Sequence, residues 1–147
     1  MLMFKNRKAS FNYYFVSEYE AGIVLKGTEI KSIRQGKINF KDCYGRIEEG
    51  EIWLYNLHIS VYEQGSYYNH DPERIRKLLL NRNEIKKIVK QIEEKGMTLV
   101  PKSLFINEKG LVKVMIAVAK GKKVFDKRET IRKKDEKREQ DRNRKLN

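Results

Sequence analysis

His58 and His70 are the only imidazoles in this chain, and Cys43 is its only thiol. A zinc site needs three or four such ligands at close spacing, and neither histidine has a partner placed that way. A lone cysteine also excludes an internal disulfide and a thiolate cluster. The 20 carboxylates are scattered, and no pair is marked out as a general acid and base. No Walker loop, nucleophile elbow or glycine-rich dinucleotide turn occurs; Gly27-Thr28-Glu29 has a glycine without the required spacing. His58 reads as a residue packed at a sheet edge, and His70, beside Asp71, as one that helps start a helix. Catalysis is the weaker class.

The residue types favour phosphate binding instead. Lysine and arginine number 33 against 20 acidic residues, a formal charge of +13. Charge of this size points to an anionic partner rather than to a fold. The basic residues gather as Lys26, Lys31 and Arg34, as Arg74, Arg76 and Lys77, and as Lys120, Lys122 and Lys123. Eight tyrosines and six phenylalanines offer faces on which unpaired bases could stack. An anionic membrane is the competing partner, but no apolar run approaches the ~20 residues that span a bilayer. Residues 1–10 lack a signal-peptide pattern, so a cytoplasmic location is expected. An RNA-binding protein is the expectation.

The elements that must position these groups read mainly as strands. Residues 11–25 are rich in aromatic and β-branched side chains, interrupted by Glu18, Glu20 and Gly22, which predicts a bent strand. A short helix follows, with Thr28 as its cap, Ile30 and Ile33 on one side and Gly36 at its end. Glu48-Glu49-Gly50 is a turn between strands at 42–47 and 51–61. In the second arm Trp53, Tyr55, Leu57, Ile59 and Val61 alternate with Ile52 and Leu54. Asp71-Pro72 predicts a helix start, with Ile75, Leu78 and Leu79 on its apolar face. Asn81 and Glu84 form a capping-box pattern ahead of Ile85, Ile88, Val89 and Ile92, and Gly96 stops that helix. The last hairpin pairs 98–106 with 111–120; Val112, Val114, Ile116 and Val118 share one face, which puts Lys113 outside the core. About six strands and three flanking helices predict a mainly β, six-stranded antiparallel barrel of the oligonucleotide-binding type over residues 1–120. An open α+β sandwich is the alternative.

Residues 121–147 are different. They hold 12 basic and 6 acidic residues, and beyond Phe125 their only large aliphatic side chains are Ile131 and Leu146. Such a segment cannot offset its ordering entropy by burial, so a basic tail, disordered in isolation, is expected. It has no proline, and the pairs Glu129/Lys133 and Asp141/Lys145 favour a helix once a partner is present. A solvated basic extension is the plainer alternative.

Four stretches carry a resemblance over nearly the whole chain. They are Asn6-Arg7-Lys8-Ala9 with EYEAGIVLKGTEIKSIRQGK (18–37), NHDPERIRKLLLN (69–81), GMTLVP (96–101) and VAKGKKVFDKRE (118–129). In this order and spacing the chain resembles the SsrA-binding protein family, small protein B. Beyond Arg128 the likeness is one of charge and helical character only.

The resemblance implies a barrel that binds the tRNA-like domain of transfer-messenger RNA (SsrA RNA), with no catalysis and no cofactor. It implies delivery of that RNA, charged with alanine and carried by elongation factor Tu, to stalled ribosomes for trans-translation. The body would stand in for the missing anticodon arm, and the tail would enter the empty message channel and turn helical there. Carried over by motif, the RNA contacts are Glu20, Leu79, Asn81 and Lys113. For Glu20 the alternative is an Arg or Lys partner on the barrel surface. For Leu79 it is packing on a helix face, and for Asn81 capping of the next helix. The implied ribosome-binding residues of the tail are Lys122, Lys123, Asp126, Lys127, Arg128, Lys133, Lys134 and Arg138. A generic RNA-binding barrel without the tagging role is the competing function.

Overall fold

The chain opens with two elements that hydrophobic periodicity does not announce, β1 (Leu2–Lys5) and α1 (Arg7–Asn12). This computed structural model describes residues 2–65 and 69–146. Asn6 explains the helix. Its side-chain oxygen accepts the Ala9 N–H at 3.2 Å, capping the first turn, and its Nδ2 donates to the Pro101 carbonyl at 2.8 Å. One buried amide thus starts α1 and anchors it to a neighbouring strand.

The expected bent strand is β2 (Tyr13–Ile23), with its bulge between Phe15 and Ser17. Next come α2 (Gly27–Arg34), β3 (Ile38–Asn39), β4 (Tyr44–Glu48) and β5 (Glu51–Tyr55). Glu49 and Gly50 join β4 to β5 with φ of 52° and 72°, the paired left-handed conformation of a tight hairpin. The expected 51–61 arm is broken. Asn56 has φ 66°, which resets the alternation, so that Ile52 and Leu54 before it and Leu57 and Ile59 after it are all fully buried. The remainder of that arm contributes β6 (His58–Ile59), which pairs with β3.

The helix expected after Asp71-Pro72 is absent. Asp71 instead closes a turn, accepting the Glu73 and Arg74 N–H groups at 2.9 and 3.1 Å, and residues 76–79 are a strand, β7 (Arg76–Leu79). Ile75, Leu78 and Leu79 fit a helical face locally. Ladder bonds to β5 and β2 on both sides outweigh that weak propensity. After β7 the reading holds: α3 (Arg82–Ile92) carries the Asn81/Glu84 capping box and buries Ile85 and Ile88. The last hairpin is β8 (Met97–Ile106) and β9 (Val112–Gly121). The flanking helices are therefore α1, α2 and α3.

β8 pairs with β9 on one edge and with β4 and β1 on the other. From β4 the pairings run through β5, β7 and β2 to β9 and so return to β8. Six strands close into an antiparallel ring, with β1 added outside it. The β4–β8 seam rests on the single pair Gly45–Leu99, where a Cβ on Gly45 would stand 2.9 Å from the Leu99 Cβ. Only glycine fits there. Leu54, Leu78, Leu99, Leu104, Val114, Ile116 and Val118 fill the interior, joined by Ile33 from α2 and Ile88 from α3. The basic segment forms α4 (Val124–Leu146), on which Phe125 and Ile131 are exposed.

Candidate nucleic-acid interface

In an antiparallel ladder, directly paired residues point to the same side of the sheet. Leu79 pairs with Gly22, Gly22 with Lys113, Lys113 with Phe105 and Phe105 with Met3. Their chain neighbours Leu78, Ala21 and Val114 are fully buried, so this row faces outward. Two residues further along lies a second outward row, in which Glu20 pairs with Met115, Met115 with Ser103 and Ser103 with Lys5. Glu20 and Lys113 are thus diagonal neighbours on β2 and β9. They line one groove of about 490 Å³ with the turn at Asn107–Lys109. A second groove, of about 290 Å³, runs from Lys113 past Leu111 to Leu79.

The structure therefore brings three of the four expected contacts, Glu20, Leu79 and Lys113, onto one outer face. Leu79 is 51% exposed and lies on a strand rather than on the expected helix face. Glu20 takes part in none of the ion pairs among the described residues. Asn81 stands just past Leu79 and caps α3 through its Oδ1, 2.9 Å from the Glu84 N–H. Capping uses the oxygen and leaves the side-chain NH₂ as a donor at the margin of the same face. A cation, a carboxylate, an amide and an exposed aliphatic side chain together suit a folded RNA, through phosphate charge, base edges and ribose hydroxyls.

The basic clusters named from sequence divide. Arg76 is fully buried: its Nε donates to Glu29 at 2.5 Å and its Nη1 to the Leu57 carbonyl at 2.6 Å. Arg74 donates to Glu29 as well, at 2.6 Å. Both are structural cations, not RNA-facing ones. Burial opposes the charge of Glu29, but hydrogen bonds from Arg74, the Lys26 N–H and Arg76 hold its carboxyl below the usual range. Burial also lowers the Arg76 pKa, against the pull of Glu29. This core ties α2 to β7, and so fixes the strand that presents Leu79. The signal in the sequence was Glu29 at the third position of a helix, where a carboxylate meets free N–H groups.

Thr28 does not cap α2. Lys26 occupies that position, and the Thr28 hydroxyl meets His70 Nδ1 at 2.9 Å. His70 starts no helix; buried, it bridges Thr28 to the Ile59 carbonyl, 2.8 Å from Nε2. His58 lies half-buried on the short β3–β6 pair and contacts Glu73 at 3.0 Å. Burial pushes the Cys43 thiol well up, which leaves it unreactive.

At the tail's root, the Lys122 N–H donates to the Asn12 carbonyl at 2.8 Å. Its Nζ lies 3.0 Å from Thr130 Oγ1 and 5.0 Å from the Tyr14 ring centre. Desolvation and the nearby Asp126 carboxylate push the Tyr14 phenol up. Lys123, Arg128, Lys133, Lys134 and Arg138 are exposed, and Asp126 and Lys127 partly so. None of the five exposed cations is in an ion pair among the described residues.

Comparison with known proteins places this architecture. The family model described as "SmpB protein" matches residues 3–146. The SsrA-binding protein of Thermoanaerobacter pseudethanolicus is 55% identical over 92% of this chain and 86% of its own. That of Anoxybacillus flavithermus is 53% identical over 96% of this chain and 91% of its own. A chain in the solved structure described as "tmRNA-SmpB: a journey to the center of the bacterial ribosome" superposes with a TM-score of 0.71 at 48% identity. The match covers 83% of this chain and 85% of that one.

Proposed function

The chain belongs to the SmpB family of SsrA-binding proteins, and from that membership and its outer barrel face we infer a protein that reads one RNA with its body. It binds transfer-messenger RNA and acts with it on ribosomes in trans-translation. The observation that carries the site assignment is the register of β7, β2 and β9, which sets Leu79 and Lys113 on either side of Gly22, with Glu20 in the next outward row and Asn81 just past Leu79. These four are the proposed contacts to the tRNA-like domain. The protein is an adaptor without chemistry of its own, works in the cytoplasm, and meets elongation factor Tu only through the aminoacylated RNA.

The tail has a separate role in this proposal. Over residues 126–140, α4 has no buried side chain, and a lone helix of such composition is marginal in water. Beyond its root the tail is therefore largely disordered in the free protein and becomes helical in the message channel of a stalled ribosome. Lys122, Lys123 and Asp126 set the tail's root. Lys127, Arg128, Lys133, Lys134 and Arg138 meet ribosomal RNA there. The free cations on a face with no core contact support this reading.

Sequencing the RNA that copurifies with the protein from its host tests the function. One abundant species with a tRNA-like end is expected. A heterogeneous pool in proportion to cellular RNA would instead favour the generic RNA-binding barrel.

A further inference from the structure

We infer that Arg82, Lys86 and Lys90 form a phosphate-binding edge along α3 that continues the RNA face beyond Asn81. The inference rests on the RNA-binding reading above and extends its surface. These residues recur at i, i+4 and i+8, so they stack on one side of the helix over about 12 Å. The inward side is fixed by Ile85 and Ile88, which are buried, so the basic side cannot rotate away. All three cations line a groove of about 300 Å³ between α3 and the Glu49-Gly50 turn, with Val89 at its base and Glu93 at its far end. Arg82 leans over that turn; its Nη1 lies 3.8 Å from where a Gly50 Cβ would stand.

None of the three takes part in an ion pair among the described residues. The carboxylate nearest the helix start, Glu84, is held by the Asn81 N–H at 3.1 Å. The groove beside β1 is also basic; there Lys8 and Lys41 are matched by Asp42 and Glu73, while Lys5 and Arg7 take part in no ion pair among the described residues. The α3 edge keeps its charge, and packing gives no reason for it. A strand of the tRNA-like RNA that reaches Asn81 meets Arg82 next, so its phosphodiester backbone is the occupant.

The test uses the full chain carrying Arg82→Ala/Lys86→Ala/Lys90→Ala. Binding to a transcribed tRNA-like domain is measured over a salt series, beside binding to small ribosomal subunits. The expected result is a roughly tenfold loss for the RNA and a salt slope reduced by about 2 to 3, with both retained in Arg82→Lys/Lys86→Arg/Lys90→Arg. If melting shows the triple variant misfolded, the three single variants, each expected to lose about two- to threefold, carry the test. An unchanged slope, or a loss confined to the ribosomal subunit, overturns the inference. A Glu20→Ala/Lys113→Ala variant run alongside separates the failures. If it loses affinity while the triple variant does not, only the α3 edge falls. If neither loses affinity, the RNA-face reading falls too.

Discussion

Leu79 of β7 lies directly across Gly22 of β2, and a Cβ on Gly22 would stand 3.2 Å from the Leu79 Cβ. The absence of a side chain at Gly22 lets an aliphatic residue sit half-exposed on the outside of a barrel whose neighbouring Leu78 is fully buried.

That contact separates binding from packing. Leu79→Ala should lower affinity for the tRNA-like RNA several-fold while shifting stability by no more than about 0.5 kcal/mol, as at other exposed positions. Gly22→Val should displace Leu79 and cost about 1–3 kcal/mol, lowering both affinity and melting temperature. Calorimetry and RNA titration on the two variants distinguish these outcomes. A large stability loss in Leu79→Ala would sink the binding role.

Lys113 stands beside Gly22 on the same row and diagonal to Glu20. Replacing Lys113 with alanine should weaken RNA binding and lower the salt slope by about one, the signature of one lost phosphate contact. Glu20→Gln should weaken binding with little change in slope, because a carboxylate that accepts hydrogen bonds releases no counterion. An altered slope in Glu20→Gln, measured by anisotropy from low to moderate salt, counts against that role.

Glu29 and Arg76 are both fully buried, and their ion pair fastens α2 to β7. Glu29→Ala leaves a buried guanidinium without its carboxylate and should cost about 3–5 kcal/mol by denaturant titration. The folded carboxyl titrates below its ordinary value. Its stabilisation is therefore fully present above the unfolded pKa of about 4.3 and is lost as pH falls through the lower folded value. Melting temperature should drop across that acid window in the native chain and less steeply in Glu29→Gln. Parallel curves for the two proteins would show that Glu29 is not the group responsible.

Removing residues 121–147 should leave affinity for the tRNA-like RNA within about threefold, because none of the four body contacts lies in that segment. Peptide tagging on stalled ribosomes should be abolished. A truncated protein that loses RNA affinity as severely as Glu20→Ala/Lys113→Ala would contradict the division between body and tail.

Local pattern alone was enough for some elements. The capping box at Asn81 and Glu84 with its apolar stripe, the Glu49-Gly50 turn, and the alternation that points Lys113 outward all depend on residues within a few positions of one another. The surplus of basic charge and the tail's lack of an apolar face are likewise properties of composition. Periodicity did not reveal α1 or β1, because each rests on a distant strand. Asn6 needs the Pro101 carbonyl, 95 residues away, to be more than a polar loop residue.

Tertiary structure decided the rest. Residues 75–79 carry a helix-like spacing, yet become a strand because β5 and β2 offer ladder bonds on both sides, and this turns Leu79 from a packing residue into a surface one. Arg74 and Arg76 look like an RNA-binding pair until Glu29 meets them inside the fold. From the residues alone, Glu20, Leu79, Asn81 and Lys113 could be named only as a set carried by resemblance. Cross-strand register, fixed by which hydrophobic face is buried, made them neighbours.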